Sequence, residues 1–238
     1  MDFLIRGCYK LGELVSVIMS TYNEKPKWIQ ESIESILNQT YENIEFIIVL
    51  DNPDNNSINE LILSYSNKDS RINVVKNAKN LGLTASLNSA LLFAKGDYIA
   101  RMDADDISAL NRFEKQINYI RENNLDFVFS AMNIINEKGE AKFKSSDRVL
   151  PPKSVNILSS ISNVATHPTW FLKKAIYDML GGYPEVPFCE DYDFVLRSIS
   201  HGFKIGRMSD LLLSYRVRES SITNTNALEQ FHNARGRS

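Results

Sequence analysis

The stretch Ile44-Glu-Phe-Ile-Ile-Val-Leu50 is the longest nearly apolar run of the chain, and Glu45 is its one interruption. Its β-branched and aromatic residues favour a strand, and the scarcity of polar residues predicts a strand buried on both faces. The run is far shorter than the ~20 residues that a membrane-spanning helix needs. No transmembrane segment is therefore predicted.

Shorter strands and amphipathic helices flank this run. Strands are predicted at residues 15–19, 72–75 and 97–100. The helices between them carry apolar stripes: one begins near Pro26, the next contains Ile58 and Ile62, and the third is expected to stop at Gly96. Regular alternation of strand and helix predicts right-handed crossovers, and therefore an α/β fold built on a parallel sheet.

The alternation is lost after Asp106. An apolar stretch covers residues 126–135, and further helices are predicted around 175–180 and 190–201. No internal repeat or low-complexity linker occurs. We therefore predict one domain over residues 1–238, with a regular half at about 14–106, an irregular half at 107–218 and a C-terminal tail at 219–238.

The composition excludes several classes of protein. Hydrophobic residues make up 43% and charged residues 24% of the 238 residues, as in a globular domain, and a net charge of -2 argues against nucleic-acid binding. Cys8 and Cys189 lack metal-ligand spacing, so a disulfide framework and a zinc site are not expected. The first ten residues, with Asp2 among them, lack the apolar centre of a secretory signal, which predicts a cytoplasmic protein.

Acidic residues cluster directly after the fourth predicted strand, in Arg101-Met-Asp-Ala-Asp-Asp106. Asp103 and Asp105 lie two residues apart and point the same way if the strand geometry continues. Carboxylate oxygens so placed suit Mg²⁺ or Mn²⁺ shared with the phosphates of a substrate. The alternative is a solvated acidic loop.

Two further polar groups follow predicted strands, at the edge where α/β sheets bind ligands. They are Thr21-Tyr-Asn-Glu24 and Asp51. Asn and Asp also favour turns in their own right. Asp51 therefore either caps a turn or accepts a hydrogen bond from a base or a ribose, and the local sequence leaves both open.

The helix predicted near residue 190 opens with Glu190-Asp-Tyr-Asp193. Acids are stabilised at a helix N-terminus whether or not they have a function. Just before it, Gly181-Gly-Tyr-Pro-Glu185 is predicted to be a mobile loop that forms one wall of an acceptor cleft. His167 is more often a packed side chain than a catalyst in such a setting.

Six short motifs, in order along residues 14–218, resemble the inverting glycosyltransferase family 2. They are Val15-Ser-Val-Ile-Met-Ser-Thr-Tyr-Asn23, Asp51 at the end of its strand, Asn80-Leu-Gly-Leu83, Met102-Asp-Ala-Asp-Asp106, Gly181-Gly-Tyr183 and Glu190-Asp-Tyr-Asp193. The resemblance implies the A-type glycosyltransferase (GT-A) fold, a mostly parallel central sheet flanked by helices in two abutting nucleotide-binding halves. Residues 14–106 would bind a nucleoside diphosphate sugar, most often a uridine one, and 107–218 the acceptor.

Carried over by position, the resemblance also implies roles in donor binding. Thr21, Tyr22 and Asp51 would hold the uracil, Asp103 would face the ribose, and Asp105 would bind Mn²⁺ or Mg²⁺.

The remaining implied roles lie in the second half of the chain. Asp191 would be the general base, with Glu190 and His167 on the acceptor side. Family members often carry His at the end of a Tyr-Arg-x-His motif, where this chain has Arg218. An Arg binds phosphate through several donors but cannot ligate a cation, so Arg218 is assigned to the diphosphate.

The expected reaction is a single in-line displacement that inverts the anomeric carbon. The expected acceptor is lipid-linked or an oligosaccharide, in the assembly of bacterial surface polysaccharide. Six bases against three acids over residues 201–238 permit peripheral contact with the inner membrane face. The alternative is a nucleotide-sugar or carbohydrate binding module without turnover; dinucleotide-binding, P-loop and nucleophile-elbow motifs are absent.

Overall fold

The computed structural model describes residues 12–184, 186 and 189–218. The predicted C-terminal tail and the charged N-terminal decapeptide lie outside these residues. The strands are β1 (Val15–Thr21), β2 (Ile44–Leu50), β3 (Ile72–Lys76), β4 (Tyr98–Arg101), β5 (Ile107–Ser108), β6 (Phe127–Ile135), β7 (Ala141–Lys144), β8 (Phe171–Lys173) and β9 (Ile205–Arg216). The helices are α1 (Pro26–Leu37), α2 (Asn56–Ser66), α3 (Leu83–Phe93), α4 (Arg112–Glu122), α5 (Pro152–Ser159), α6 (Lys174–Leu180) and α7 (Glu190–Ser200), and His167–Thr169 form a 3₁₀ turn.

The first four strands form the parallel part of a sheet with the order β3-β2-β1-β4-β8-β6-β9-β5. Every residue of β2 is buried, as its apolar sequence predicts. One face of the sheet packs on α1, α2 and α4, and the other packs on α3, α5, α6 and α7. Both faces are thus covered, and the carboxyl ends of the parallel strands meet at one edge.

The single acid of β2 is buried at a point where three segments approach closely. Glu45 accepts hydrogen bonds from the Ser16 hydroxyl and the Lys95 amide, each at 2.6 Å. A Cβ on Gly96 would lie 2.6 Å from the Leu14 carbonyl oxygen. The prediction that Gly96 stops α3 is wrong, since the helix ends at Phe93; the close approach of the strands is the structural reason for the glycine.

The second half joins the first through the short strand β8, which is antiparallel to both β4 and β6. β9 then runs parallel to β6, while β5 and β7 pair antiparallel with β9 and β6. The α/β class is confirmed, and the sheet is mixed because β8 reverses direction. As a result, the carboxyl ends of β4 and β9 lie at the same edge. The described helices are all too short or too polar to span a bilayer.

Candidate active site

The acidic loop begins where β4 ends, and its two candidate acids face different partners. The strand geometry does not continue beyond Arg101, because residues 104–105 form a turn. Asp103 accepts a hydrogen bond from Arg101 Nη1 at 2.8 Å, whereas Asp105 Oδ2 lies 2.8 Å from Arg218 Nε. The expectation that the two carboxylates point the same way through a continued strand is therefore wrong.

Burial raises the pKa of two carboxyl groups in this loop, those of Asp105 and Asp106. Burial, together with the charge of Asp103, raises the pKa of Asp105 to about 7, and Arg218 opposes that shift. Asp106 is fully buried, and its Oδ2 has no hydrogen-bond partner. Burial also raises the pKa of Asp106 well above its usual value, with Asp103 and Asp105 adding to the shift. Of the three acids in the loop, Asp103 and Asp105 form ion pairs with Arg101 and Arg218, and among the described residues Asp106 forms none.

The end of β9 supplies two further cations beside this loop, in addition to Arg101. Arg216 is buried and donates from Nε to the Asp105 carbonyl at 2.7 Å and from Nη2 to Glu31 at 2.7 Å. The guanidinium groups of Arg216 and Arg218 lie 5.3 and 5.9 Å from the ring centre of Trp28. Sequence reasoning singled out Arg218 but missed Arg216, although both belong to the same Tyr215-Arg-Val-Arg218 motif. Arg216 fixes the backbone of the residue that Arg218 contacts.

A turn-forming network occupies the end of β2. Asp51 Oδ1 accepts from Asn77 Nδ2 at 2.7 Å and from the Leu81 amide at 2.8 Å, and Oδ2 accepts from the Gly82 amide at 2.9 Å. The carboxylate thus holds the loop that starts α3. Of the two alternatives that the sequence left open, the structure contains the turn; a contact with a base stays a prediction.

The segment after β1 presents one exposed aromatic ring. The Thr21 hydroxyl is buried and donates to the Val49 carbonyl at 3.1 Å. Tyr22 is 43% exposed, so its ring has a free face for stacking. Their predicted contacts with uracil stay predictions, with Tyr22 better placed for stacking than Thr21.

Asp191 lies in the first turn of α7 and is held by two donors. Its Oδ1 accepts from the Tyr192 amide at 2.7 Å, and its Oδ2 accepts from Asn163 Nδ2 at 2.8 Å. Burial raises the pKa of Asp191, while the Tyr192 amide and the charge of Arg101 oppose that shift. Burial also raises the pKa of Glu190. Arg101 thus pairs with Asp103 of the acidic loop and also lowers the pKa of Asp191 at the start of α7. The sequence did not predict this connection.

His167 lies in a buried chain of side-chain hydrogen bonds. Its Nε2 is 2.9 Å from the Tyr183 hydroxyl, which is 2.6 Å from the Tyr177 hydroxyl. Burial lowers the pKa of His167 well below its usual value, and Arg101 lowers it further. The imidazole is therefore neutral and packed, which favours the structural alternative; its place on the acceptor side stays a prediction.

The Gly181-Gly-Tyr183 loop is clamped. Asn88 of α3 accepts from the Tyr183 amide at 2.8 Å and donates to the Tyr183 carbonyl at 2.9 Å. Arg197 donates to the carbonyls of Leu180 and Gly182 at 2.9 and 3.1 Å. Four hydrogen bonds from two helices therefore hold the backbone of residues 180–183. Glu185, the last residue of the predicted mobile loop, lies outside the described residues, and the mobility of the loop stays a prediction.

Gly182→Ala is expected to lower the free energy of unfolding by ~2–4 kcal/mol, because it adds steric clash to left-handed backbone strain. Gly182 has φ +82°, and a Cβ there would lie 2.6 Å from Asn88 Oδ1. Gly181→Ala is the matched control: its φ is +74° but nothing lies within 4 Å, so ~1 kcal/mol is expected. Urea unfolding measures both. Equal losses in the two variants would contradict the clamp.

The residues after β4 fit a divalent cation. Within the described residues, no group of three or more His, Cys, Asp or Glu side chains is arranged as a metal site. Mg²⁺ and Mn²⁺ need only one or two protein carboxylates when phosphates and water supply the other ligands. The Asp105 carboxylate, which pairs with Arg218, and the Oδ2 of Asp106, which has no hydrogen-bond partner, are the hard oxygen atoms that the loop offers.

A groove of about 500 Å³ lies between α1, β5 and β9, and Ile107, which directly follows the acidic loop, is part of its lining. Its lining includes Glu31, Glu34 and Ser108 but none of the candidate acids. We therefore assign the site by the chemistry at the strand ends and not by this cavity.

A family model described as glycosyl transferase family 2 matches residues 16–197. The chain belongs to glycosyl transferase family 2. The uncharacterized glycosyltransferase MJ1057 of Methanocaldococcus jannaschii is 40% identical over 86% of this chain and 71% of its own length. The O-antigen biosynthesis glycosyltransferase WbnJ of Escherichia coli is 33% identical over 89% of this chain and 83% of its own length.

Two further comparisons cover less of the compared proteins. The E. coli UDP-Glc:alpha-D-GlcNAc-diphosphoundecaprenol beta-1,3-glucosyltransferase WfgD is 39% identical over 52% of this chain and 47% of its own length. The crystal structure of S. aureus TarS 1-349 in complex with UDP-GlcNAc superposes with a TM-score of 0.73 at 23% identity, over 89% of this chain. This chain spans 60% of that TarS chain. The likeness confirms the GT-A fold that the resemblance implied.

Proposed function

We propose that this protein is an inverting glycosyltransferase that transfers a sugar from a nucleoside diphosphate, with uridine as its base, to a hydroxyl group of the acceptor. The observation that carries the proposal is the role of buried Arg101. It pairs with Asp103 of the acidic loop, and its charge lowers the pKa of Asp191 against the effect of burial. The donor-side loop and the candidate base therefore lie close enough to be influenced by the same guanidinium group. A displacement requires that its two substrates be held close together in this way.

The reaction breaks the bond between the anomeric carbon and the diphosphate oxygen while the acceptor oxygen bonds to the opposite side of that carbon. Asp191 takes the proton of the acceptor hydroxyl, and its raised pKa makes it a stronger base than an exposed carboxylate. The electron pair of the broken bond leaves with the diphosphate. Arg218 faces that developing charge.

The donor half is assigned to residues 14–106. We propose that Tyr22 stacks on the uracil and that Thr21 and Asp51 border it, while Asp103 faces the ribose. The TarS complex with UDP-GlcNAc, which has the same fold, supports uridine as the base.

Asp105 would hold Mn²⁺ or Mg²⁺ together with donor phosphates. When bound, the cation supplies positive charge to the leaving diphosphate. Arg216 keeps the Asp105 backbone in place by its hydrogen bond to the carbonyl.

The acceptor half is assigned to residues 107–218, with Glu190 and His167 beside Asp191. The names of WbnJ and WfgD refer to O-antigen biosynthesis and to a diphosphoundecaprenol acceptor. They support a lipid-linked or oligosaccharide acceptor in surface polysaccharide synthesis. A place at the cytoplasmic face of the inner membrane is part of the proposal.

A panel of nucleotide sugars tests the proposal. With Mn²⁺ present, we expect thermal stabilisation by uridine diphosphate sugars and slow release of uridine diphosphate from at least one of them. Binding without release or transfer would favour a binding module instead. Stabilisation by no nucleotide sugar would refute the proposal.

A further inference from the structure

Residues 141–161, from β7 to the turn after α5, form an exposed segment with unusual side chains. Five of the eleven large hydrophobic side chains that are exposed in the described part of the chain lie in it. They are Phe143, Val149, Ile157, Leu158 and Ile161. Ile157 and Ile161 are 56% and 77% exposed, so water covers apolar surface that α5 does not bury. An exposed apolar cluster of this kind calls for a partner.

The same segment is basic, although the whole chain carries a net charge of -2. It contains four bases and one acid, for a local charge of +3. The bases are Lys142, Lys144, Arg148 and Lys153, and all four are exposed. Within the described residues, none of these four forms an ion pair with a carboxylate. The segment therefore offers cations and apolar side chains together.

The arrangement on α5 places both features on one side. Lys153 and Ile157 are four residues apart, and Ile161 lies a further four residues on in the turn that continues the helix. Side chains at this spacing lie on the same face of a helix. The opposite face of α5 carries Val155, which is fully buried in the core.

This surface adjoins the candidate base. The carbonyl of Ser159 accepts a hydrogen bond from the Tyr192 hydroxyl at 2.7 Å, and Asn163 donates to Asp191 at 2.8 Å. The exposed Ile161 thus lies two residues from a direct partner of Asp191. A molecule bound by the end of α5 would lie beside the acceptor site.

We infer that residues 141–161 bind the surface of an anionic phospholipid bilayer, with the apolar side chains at the end of α5 inserted between headgroups. Bases flanking exposed apolar side chains are the composition of an interfacial membrane segment, and the charge complements acidic lipids. Membrane binding would bring a lipid-linked acceptor close to Asp191. This role in catalysis rests on the proposed function.

Sedimentation of the full-length protein with vesicles tests the inference. We expect binding to phosphatidylcholine vesicles that contain phosphatidylglycerol, and weaker binding at high salt or to phosphatidylcholine alone. A triple variant, Ile157→Ser, Leu158→Ser and Ile161→Ser, should bind at least ~10-fold more weakly, as should a Gln variant of the four bases. Thermal unfolding verifies that both variants fold, since every replaced side chain is exposed.

Leu92→Ser with Phe93→Ser is the matched control. These two side chains are exposed at the end of α3, at the opposite edge of the sheet, and should not affect vesicle binding. No binding to anionic vesicles, or an equal loss in the control, would overturn the inference. Self-association that the triple Ser variant abolishes would also overturn it, because the surface would then bind a second copy of the chain.

Vesicle binding is measured without donor or acceptor, so it is independent of turnover. If the protein binds vesicles but transfers no sugar, the membrane-binding inference is supported and the proposed function is refuted. If the protein transfers sugar to a soluble acceptor but does not bind vesicles, the proposed function is supported and the membrane-binding inference is refuted.

Discussion

An Asp191→Asn variant is expected to lose ~10²- to 10⁴-fold in kcat, the typical contribution of a general base, while it binds donor normally. The amide keeps the size of the side chain and can still accept from the Tyr192 amide, so α7 should begin as before. What it loses is the capacity to take the acceptor proton. Turnover and donor affinity measured on the same preparation separate these two effects.

Glu190→Gln is the matched control, because its carboxylate is adjacent in sequence and also buried enough to have a raised pKa. Neighbouring residues on a helix project about 100° apart, so only one of the two carboxylates can face the acceptor hydroxyl squarely. We expect Glu190→Gln to lose much less activity, chiefly through KM for the acceptor. A Glu190→Gln enzyme slower than Asp191→Asn would reverse the assignment.

The pH dependence follows from the same assignment. Burial raises the pKa of Asp191 in the folded protein, and a base must be ionised, so kcat should fall as the pH drops through that raised pKa. Asn163 donates to the ionised form and lowers the pKa of Asp191. Asn163→Ala should therefore shift the acidic limb of the profile to higher pH, an effect that a purely structural role for Asn163 would not produce.

The first half of the fold is predictable from the sequence because its decisive interactions are local. The apolar run of β2 specifies a strand buried on both faces, and the stripe of α1 at Ile29, Ile33 and Ile36 is fully buried as its spacing predicts. Loops that follow such strands lie at one edge by topology alone. The acidic loop and Asp51 therefore fall where ligands bind in α/β sheets.

The second half depends on pairings between distant residues, which periodicity does not encode. β8 has three residues and runs antiparallel to both of its neighbours, and β9 pairs with β6 through two register shifts. That pairing brings Arg216 and Arg218 to Asp105. The hydrogen bonds between Asn88 and Tyr183 likewise join residues that are 95 positions apart. Sequence motifs thus identified candidate residues but not the charges and hydrogen bonds that surround them.

Uridine diphosphate is expected to bind at least about tenfold, or 1.4 kcal/mol, more weakly in excess chelator than with Mn²⁺. Without a metal ion, the diphosphate would approach three acids, of which Asp103 and Asp105 each have one Arg partner. Burial already raises the pKa of Asp105 to about 7. Asp105→Asn should abolish this dependence and leave the fold intact. Calorimetry with and without Mn²⁺ measures both, and equal affinity of the unmodified protein in chelator would refute the metal assignment.

Arg218 provides the discriminating variant, because its Nε lies 2.8 Å from Asp105 Oδ2, an oxygen that a cation would need. Arg218→Ala should therefore strengthen binding of Mn²⁺ alone, since the competing cation is gone, yet lower kcat, since the leaving diphosphate loses a donor. Arg218→His can ligate a metal and should recover part of the turnover with a changed metal preference. Arg218→Ala with unchanged Mn²⁺ affinity and unchanged kcat would show that the ion pair has no part in the reaction. Opposite changes in the two quantities would instead mean that Arg218 both neutralises Asp105 before the donor binds and stabilises the diphosphate afterwards.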